Sequence, residues 1–314
     1  MKRILSYILM GVFIFGTILF ISYQNDQPDV IDISKYGHDS AAIQKGLNKA
    51  KTDGKVEILI PAGNYSMNET LHIYANTKIV MEEDTVLVRK HTDAFMSNGK
   101  AGDQFKGYKG NGNIIIEGGT LDGNVLDADY GEYGYGGIEF AHADHIEIRN
   151  LTIKDIVYSH GIEINSSHNV VIENCQFLGY LDPTTDKSRS KSEAIQLDFS
   201  SKNGFPHFGD WDGTPSRDVV IKNNYFGDSD TKEMNTWPVG VGSHSGKNDE
   251  WNENITITGN KFMGMTYTGI SAYNWNHVKI RYNTFSGINE VITIEHPGNK
   301  LKEQDIIIEN NSIN

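Results

Sequence analysis

An eight-residue pattern recurs seven times from residue 114 onward and constrains the fold more than any other feature. Branched apolar residues hold its first and third positions, Asn or Gly stands near its fifth or sixth, and its eighth is apolar. Successive copies start 32, 24, 49, 36, 23 and 28 residues apart, and the shortest spacings suit one coil of a parallel β-helix. Such a repeat predicts a solenoid whose coils bury their apolar faces against each other. The copies begin at Ile114, Ile146, Val170, Val219, Ile255, Val278 and Ile306.

The asparagines of the repeat have a predicted structural role. Asn tolerates left-handed backbone geometry at a tight corner, and its side chain can bond to the next coil. We therefore expect stacked asparagines, with Cys175 packed in the same corner. Cys175 is the only cysteine, so no intrachain disulfide can form. The predicted ladder residues are Asn174, Asn223, Asn224, Asn260, Asn283 and Asn311.

The first residues predict export. Ile4 to Tyr23 is a run of 20 residues without a charge, preceded by Lys2 and Arg3, which is long enough to span a bilayer as a helix. Because basic residues favour the cytoplasmic side, the rest of the chain should lie outside the cell. We expect residues 1–24 to form a cytoplasmic tip and a transmembrane signal-anchor, and residues 25–314 one extracellular domain. Cleavage of the segment would instead give a secreted protein.

A second strand precedes each eight-residue copy, and these strands align in columns. Ile138, Ile162 and Ile195 are expected to point inward. The alignment places two columns on the outer face, and this face is rich in carboxylates and amides. The first column is Glu139, Glu163, Gln196, Val241, Ser271 and Thr293, and the second is Ala141, Asn165, Asp198, Ser243, Tyr273 and Glu295.

Residues 31 to 89 resemble the cap and first coils of the pectin-lyase-like, right-handed parallel β-helix superfamily. The residues that carry the resemblance are the helix sequence "AIQKGLNKA" followed by "IPAGNY", and "GNIIIEGGTLDGN" from Gly112 is similar to a coil of polygalacturonase-type glycoside hydrolases. The resemblance implies an all-β, single-stranded, right-handed parallel β-helix with an N-terminal helix cap.

The catalytic pattern of the polygalacturonase family is only partly present. His160 stands before "GI" where that family has Asp, and Ser192 with Glu193 replaces its Asp pair. "TWPVGVGSHSG" lacks the Gly-His-Gly motif, although His244 lies nearby. The resemblance therefore implies the location of a site on three consecutive coils but not its mechanism.

The outward columns suggest specific catalytic residues. From strand geometry we expect Glu163 and Asp198 about 8 Å apart, within the range of roughly 6.5 to 9.5 Å that inverting glycosidases use. Glu193 is a third candidate, as an acid. His160 and His244 would tune or relay protons. Gln196 and Asn165 would bind substrate hydroxyls.

Two insertions flank the strand at Glu193, and the second carries aromatic residues suited to sugar binding, which Trp237 and Tyr273 on later segments would extend along the groove. The first is "GYLDPTTDKSRSK" and the second is "SSKNGFPHFGDWDGTPSRD". Rings in such loops can lie against the apolar faces of pyranoses. The predicted substrate-binding residues are His207, Phe208, Trp211, Trp237 and Tyr273.

Three functions remain open. An endo-acting hydrolase of an extracellular polysaccharide fits the carboxylates best, and a lyase or C5-epimerase on a uronic-acid polymer is the alternative, although no Arg or Lys cluster is evident in the patch. The third is a non-catalytic glycan-binding surface protein. The net charge of −13 argues against a nucleic-acid partner. We expect a monomer without a cofactor or assigned metal ligands, with Ca²⁺ considered only for a lyase.

Overall fold

The computed structural model describes residues 29–246, 250–296 and 305–314, and the predicted transmembrane segment lies outside them. The described chain winds through three sheets in turn, named here sheets A, B and C. Strands of successive coils pair in parallel within each sheet, for example Ile138–Ala141 with Ile162–Asn165. The predicted all-β parallel β-helix is confirmed.

Within the described residues, sheet A has ten strands, sheet B nine and sheet C eight. Those of sheet A are Asp29–Asp32, Val56–Ile60, Thr77–Met81, Ile114–Glu117, Asp144–Arg149, His168–Glu173, Arg217–Lys222, Asn252–Thr258, Trp275–Arg281 and Ile306–Glu309. Those of sheet B are Gly63–Met67, Thr85–Arg89, Thr120–Asp122, Thr152–Val157, Gln176–Leu181, Tyr225–Gly227, Lys261–Met263, Thr284–Ser286 and Ser312–Ile313. Those of sheet C are Leu71–His72, Met96–Ser97, Ile138–Ala141, Ile162–Asn165, Glu193–Asp198, Val239–Gly242, Thr268–Tyr273 and Glu290–Glu295.

Short helices stand at the N-terminal end of the coil stack, as predicted. A 3₁₀ helix at Ile33–Lys35 precedes α1 (Ser40–Leu47) and α2 (Ala50–Asp53). The side chain of Asp39 caps α1 by accepting a hydrogen bond from the amide of Ala42 at 2.9 Å. The buried face of α1 joins the apolar core of the first coils. No helix within the described residues is long and apolar enough to cross a membrane.

The corner between sheets A and B repeats the same contacts from coil to coil. The Asn224 side-chain oxygen accepts from the Cys175 amide, and Asn260, Asn283 and Asn311 repeat this bond at 2.8 to 2.9 Å. Asn174 and Asn223 stand at the turn with φ of 54° and 57°. The predicted ladder is confirmed for Asn224, Asn260, Asn283 and Asn311, and the burial of Cys175 is confirmed. Asn174 and Asn223 form the turn beside the ladder instead of joining it. Inside it, Phe177, Phe226, Phe262 and Phe285 stack with ring centroids 4.9, 4.7 and 5.0 Å apart.

Candidate functional site

A cleft of about 1070 Å³ lies along the outer face of sheet C. It reaches from the coil of His72 to that of His244, so it crosses six neighbouring strands, or about 24 Å at the usual strand spacing. Tyr133 and Tyr158 line it, as do His207 and Phe208 from the second insertion. The cleft is therefore long enough for an oligosaccharide.

The second insertion is built into the fold. Gly209 donates to the carbonyl of Asp103 at 2.9 Å, and Asp210 donates to that of Phe105 at 2.8 Å. Phe208 packs in a small apolar cluster with Phe105, Phe205 and Ala141. These contacts fix the insertion as a wall of the cleft.

Two glutamates lie side by side in the cleft. Glu139 and Glu163 are direct partners in the pairing of their strands, so their backbones are about 4.8 Å apart. They point outward because Ile138, Phe140 and Ile162 take the inward positions of the same strands. The hydroxyl of Ser159 donates a hydrogen bond to Glu163 Oε1 at 3.4 Å.

The surroundings of Glu139 favour its protonated form. Burial raises its pKa well above the usual value, and the negative charges of Glu163 and then Asp93 add to the effect. Nδ1 of His207 lies 3.6 Å from Glu139 Oε1. The cleft thus places a glutamate with a raised pKa beside a second glutamate.

A second polar group lies beneath the end of the cleft nearest His244. Glu193, Gln196 and Asp198 are only 2, 1 and 0 % exposed. Ala194 and Ile195 both point into the core, and this local turn of the strand leaves Glu193 and Gln196 on the outer side. The prediction that Gln196 and Asp198 face an open groove is therefore wrong. Of the predicted pair, Glu163, 5 % exposed, lines the cleft, whereas Asp198 does not, and Glu139, 9 % exposed, lines the cleft beside Glu163.

Two histidines cover the buried carboxylates. His160 Nδ1 lies 3.2 Å from Glu193 Oε2, and His244 Nδ1 lies 3.4 Å from Glu193 Oε1. His244 Nε2 lies 3.6 Å from Asp198 Oδ2, and the amides of His244 and Ser245 donate to Asp198 Oδ1. The imidazoles stack with centroids 5.8 Å apart. His160 and His244 line the cleft, whereas the carboxylates hold them from below.

The environment separates the pKa values of this group. Burial opposes ionisation of Glu193, but bonds and charges from His160 and His244 outweigh it and lower the Glu193 pKa to about 2. Burial raises the pKa of Asp198 to about 6, against the attraction of His244. Burial also disfavours the charged form of His244, yet Asp198 and Glu193 together raise its pKa to about 9.

The first insertion brings an arginine to this site. Arg189 Nη2 lies 3.2 Å from His160 Nε2, and Arg189 Nε donates to the carbonyl of Tyr158 at 2.7 Å. Its guanidinium lies 4.6 Å from the centre of the Tyr158 ring. The sequence pattern predicted no Arg or Lys cluster in the patch, and the loop fold carries the single arginine Arg189 into the cleft beside His160.

The alignment of the strand after Pro238 is off by one residue. Gln196 pairs with Gly242, not with Val241, and Gly242 pairs with Ser271. Val241 is fully buried in the core. Ser243 lies beyond the strand, and its hydroxyl donates to the carbonyl of Leu197. The other predicted partners in these columns, Glu139 to Gln196 and Ala141 to Asp198, are confirmed.

Most of the predicted aromatic subsites do not line the cleft. Trp237 is 0 % exposed and packs on Tyr180 at 4.8 Å, so it cannot stack on a sugar in this arrangement. Trp211 is 51 % exposed but lines a separate cleft of about 560 Å³. Tyr273 is half-buried on a later coil, outside the cleft lining. Only His207 and Phe208 line the main cleft as predicted.

Asn165 is also enclosed. It is fully buried beside Asp198, and among the described residues neither its side-chain nitrogen nor its side-chain oxygen has a hydrogen-bond partner. It is therefore not placed to contact a sugar directly.

Sequence reasoning missed Glu139, Arg189 and Tyr133 as site residues. Glu139 was visible in the outward column, next to Glu163. Arg189 had no signal because its position depends on how the insertion folds. Tyr133, 68 % exposed, carries a ring into the cleft and meets Tyr158 edge-on at 6.2 Å.

This architecture, three parallel sheets with one long cleft, is that of parallel β-helix proteins. Residues 136–314, more than half of the chain, match the family described as "Right handed beta helix region". The chain belongs to this family, and the predicted pectin-lyase-like superfamily is confirmed.

The chain is similar to "Plasmin and fibronectin-binding protein A" of Streptococcus pneumoniae (strain ATCC BAA-255 / R6). They are 28% identical over 266 residues, which cover 79% of this chain and 37% of the relative. The chain thus spans little more than a third of that protein.

Solved structures show the same fold. The surface protein and adhesin PfbA of Streptococcus pneumoniae matches with a TM-score of 0.79 and 24% identity, covering 90% of this chain and 77% of that one. The family 28 exopolygalacturonase of Yersinia enterocolitica matches with a TM-score of 0.58 and 13% identity, covering 91% of this chain and 65% of that one. Relatives with this fold therefore include both a surface adhesin and a polysaccharide-active enzyme.

Proposed function

We propose that this protein is an exported, endo-acting glycoside hydrolase that cuts an extracellular polysaccharide in the cleft of sheet C. The observation that carries the proposal is the pair Glu139 and Glu163, which are strand partners in the cleft and of which the first has a raised pKa. A protonated and an ionised carboxyl at one level of a groove are the two groups that glycosidic hydrolysis needs.

Each glutamate has a role in this mechanism. Glu139, kept protonated by burial and by the charge of Glu163, donates its proton to the leaving glycosidic oxygen. Glu163 acts from the neighbouring strand on the anomeric carbon. Strand partners start about 4.8 Å apart, so the pair suits the roughly 5 to 5.5 Å of a retaining enzyme rather than the wider inverting spacing. Water then releases the glycosyl group from Glu163, with Glu139 as the base.

His160 and His244 would bind hydroxyls near the reacting sugar. Glu193 and Asp198 hold both imidazoles from below and so act as positioning residues. Glu69, Asp93 and Glu163 line the cleft together with the basic residues Lys100 and Arg189. Because the chain as a whole has a net charge of −13, which disfavours a highly anionic polymer, we propose a neutral or amino-sugar polysaccharide as the substrate.

The test is release of reducing ends from a panel of neutral, amino-sugar and uronic-acid polysaccharides. We expect the chain to cut a member of the first two classes, with a rapid fall in polymer length and retention of anomeric configuration by NMR. Glu163→Gln should abolish cutting while the circular dichroism spectrum stays unchanged. Glu147→Gln, on sheet A away from the cleft, is the matched control. Full activity of Glu163→Gln would refute the assignment.

A non-catalytic glycan-binding surface protein is the second candidate, and the similarity to the adhesin PfbA favours it. It predicts saturable binding without a change in polymer length, weakened by Tyr133→Ala more than by Glu163→Gln. The lyase or epimerase alternative gains support from Arg189 beside His160. Absorbance near 235 nm from an unsaturated product distinguishes a lyase from a hydrolase.

Location is part of the same proposal. Residues 1–24 would anchor the protein in the cell membrane, with residues 25–314 outside as a monomer. Fractionation and protease treatment of intact cells test this arrangement. Release of the whole domain into the medium would replace the anchor by a cleaved signal.

A further inference from the structure

The two histidines at one end of the cleft converge on one carboxylate. Among the described residues, His160, Glu193 and His244 offer ligand atoms that all lie within 4.8 Å of one another. We propose that these three residues bind a divalent transition-metal ion, with Zn²⁺ fitting best. The proposal goes beyond hydrolysis, since Glu139 and Glu163 are not ligands.

The two histidine-to-glutamate distances suit a tetrahedral ion. Zn–N and Zn–O bonds of about 2.0 to 2.2 Å place two tetrahedral ligands about 3.3 Å apart. His160 Nδ1 and His244 Nδ1 lie 3.2 and 3.4 Å from the two oxygens of Glu193. Two imidazoles and one carboxylate form a common three-residue zinc ligand set, which leaves a fourth position for water or substrate. That position would open to the cleft, which both histidines line.

The groups behind the histidines fit the outer shell of a metal site. If His244 Nδ1 binds the ion, its Nε2 carries a proton, and Asp198 Oδ2 lies 3.6 Å away to accept it. A carboxylate on the far nitrogen of a ligating histidine is the usual outer-shell partner. The same oxygen of Asp198, fully buried, has no hydrogen bond in the described structure.

Gln196 serves His160 in the same way. Its side-chain nitrogen lies 3.4 Å from His160 Nε2 and 3.1 and 3.2 Å from the two ring nitrogens of His244, while its buried oxygen has no hydrogen-bond partner among the described residues. An amide can be turned over so that its nitrogen and oxygen exchange places. The oxygen of Gln196 would then accept from the Nε2–H groups of His160 and His244 when both Nδ1 atoms bind the ion. The backbone amide of Glu193, 3.3 Å from His160 Nδ1, would give up that contact to the ion.

Arg189 opposes the ion and so provides a test with the opposite sign. Its Nη2 lies 3.2 Å from His160 Nε2, and a guanidinium can only donate, so this contact needs an unprotonated Nε2. Metal binding at Nδ1 would put a proton on Nε2 and displace Arg189, and its nearby positive charge also weakens the binding of a cation. Removing this charge should tighten metal binding. A role of the cluster in folding alone would not produce such a gain.

The experiment uses the full chain in detergent, without a polyhistidine tag, treated with a chelator and then titrated with Zn²⁺ by calorimetry. We expect one equivalent to bind, and Co²⁺ to give the strong visible absorption of a four- or five-coordinate site. Asp198→Asn should weaken binding about 10- to 100-fold, as outer-shell changes do, and Glu193→Gln and His244→Ala should weaken it more. Arg189→Ala should tighten it severalfold.

His207→Ala is the matched control, since His207 lines the same cleft outside the cluster and should leave the affinity unchanged. Circular dichroism verifies that each variant is folded. An absence of saturable binding, or equal affinity in the parent, His244→Ala and Glu193→Gln, would overturn the proposal. No substrate is needed, so the result is independent of whether the protein cuts a polysaccharide.

Discussion

The corner between sheets A and B and the outer face of sheet C are built from the same coils in opposite ways. At the corner, asparagine follows asparagine from Asn224 to Asn311, and phenylalanine stacks on phenylalanine. On sheet C, the column runs through Glu139 and Glu163 and then changes to Gln196 and to Gly242 in the next two coils.

The difference separates stability from chemistry. A repeated side chain in a buried column satisfies its neighbours and adds the same stabilising contact in each coil. A column whose residues differ from coil to coil adds no repeated stabilising contact. Its residues instead place acids, amides and histidines at defined positions along a groove. Substitutions at the corner should therefore affect the free energy of unfolding, whereas those on sheet C should affect activity.

The largest expected effect is on catalysis. Glu139→Gln removes the proposed proton donor, so cutting of the natural polymer should fall by about 100- to 10,000-fold. The activity of the variant on a nitrophenyl glycoside should fall far less, because the nitrophenolate leaving group needs no proton. Initial rates on both substrates measure the difference, and the melting temperature should not fall. Equal losses on the two substrates would show that Glu139 is not the acid.

A substitution at the corner between sheets A and B should lower stability and leave activity unchanged. Phe226→Ala removes the middle of a ring stack between Phe177 and Phe262, and it should lower the free energy of unfolding by about 3 to 5 kcal/mol. Urea unfolding followed by fluorescence measures this. The neighbouring Tyr225→Ala, at a site 36 % exposed, is the control and should stay within about 0.5 kcal/mol. A small change in the free energy of unfolding for Phe226→Ala would contradict the view that the corner provides stability and sheet C provides activity.

The same division explains what the sequence could predict. The ladder was predictable because one pattern occurs seven times, and each copy supports the alignment of the others. The step from Glu139 to Glu163 was equally readable, because both lie one residue after an inward isoleucine. At the strand after Pro238, valines alternate with glycines, which carry no side chain to mark a face. Two alignments therefore fit the sequence, and the structure has the one that pairs Gln196 with Gly242, not the predicted one with Val241.

The rest of the site could not be predicted from the pattern. Arg189 reaches His160 only through the fold of an insertion that occurs once. The enclosure of Asp198 depends on His244, which follows a strand and turns back over it. Such contacts are tertiary and have no counterpart in another coil, so the sequence indicated the carboxylates but not which of them the cleft exposes.

A smaller loss of stability is expected from the ladder itself. Asn260→Ala removes the oxygen that accepts from the Asn224 amide at 2.8 Å and the nitrogen that donates to the carbonyl of Ile221 at 2.9 Å. Buried groups left without partners cost about 1 to 3 kcal/mol, so we expect a loss on the order of 2 kcal/mol. Asn223→Gly, at an exposed corner where glycine accepts the φ of 57°, is the control. Calorimetric unfolding of both variants tests whether burial, rather than asparagine itself, carries the effect.

The smallest expected effect is a change of stability with pH that comes from Glu139, the proposed catalytic acid. The folded-state pKa of Glu139 is raised above its usual 4.5, so folding takes up a proton between these two values. The free energy of unfolding should therefore fall as pH rises through this window, and the stability that the protonated acid provides is fully present only below it. Glu139→Gln cannot ionise and should remove this slope.

Melting temperatures of the parent and of Glu139→Gln across a pH series measure the effect. The gain of the variant over the parent should grow as pH rises, and the parent's cutting rate should fall over the same range because the acid loses its proton. A constant difference between the two proteins at every pH would mean that Glu139 has an ordinary pKa. In that case Glu139 and Glu163 would be ordinary acidic side chains on the outer face of a sheet. The difference between sheet C and the repeated corner would then have no bearing on catalysis.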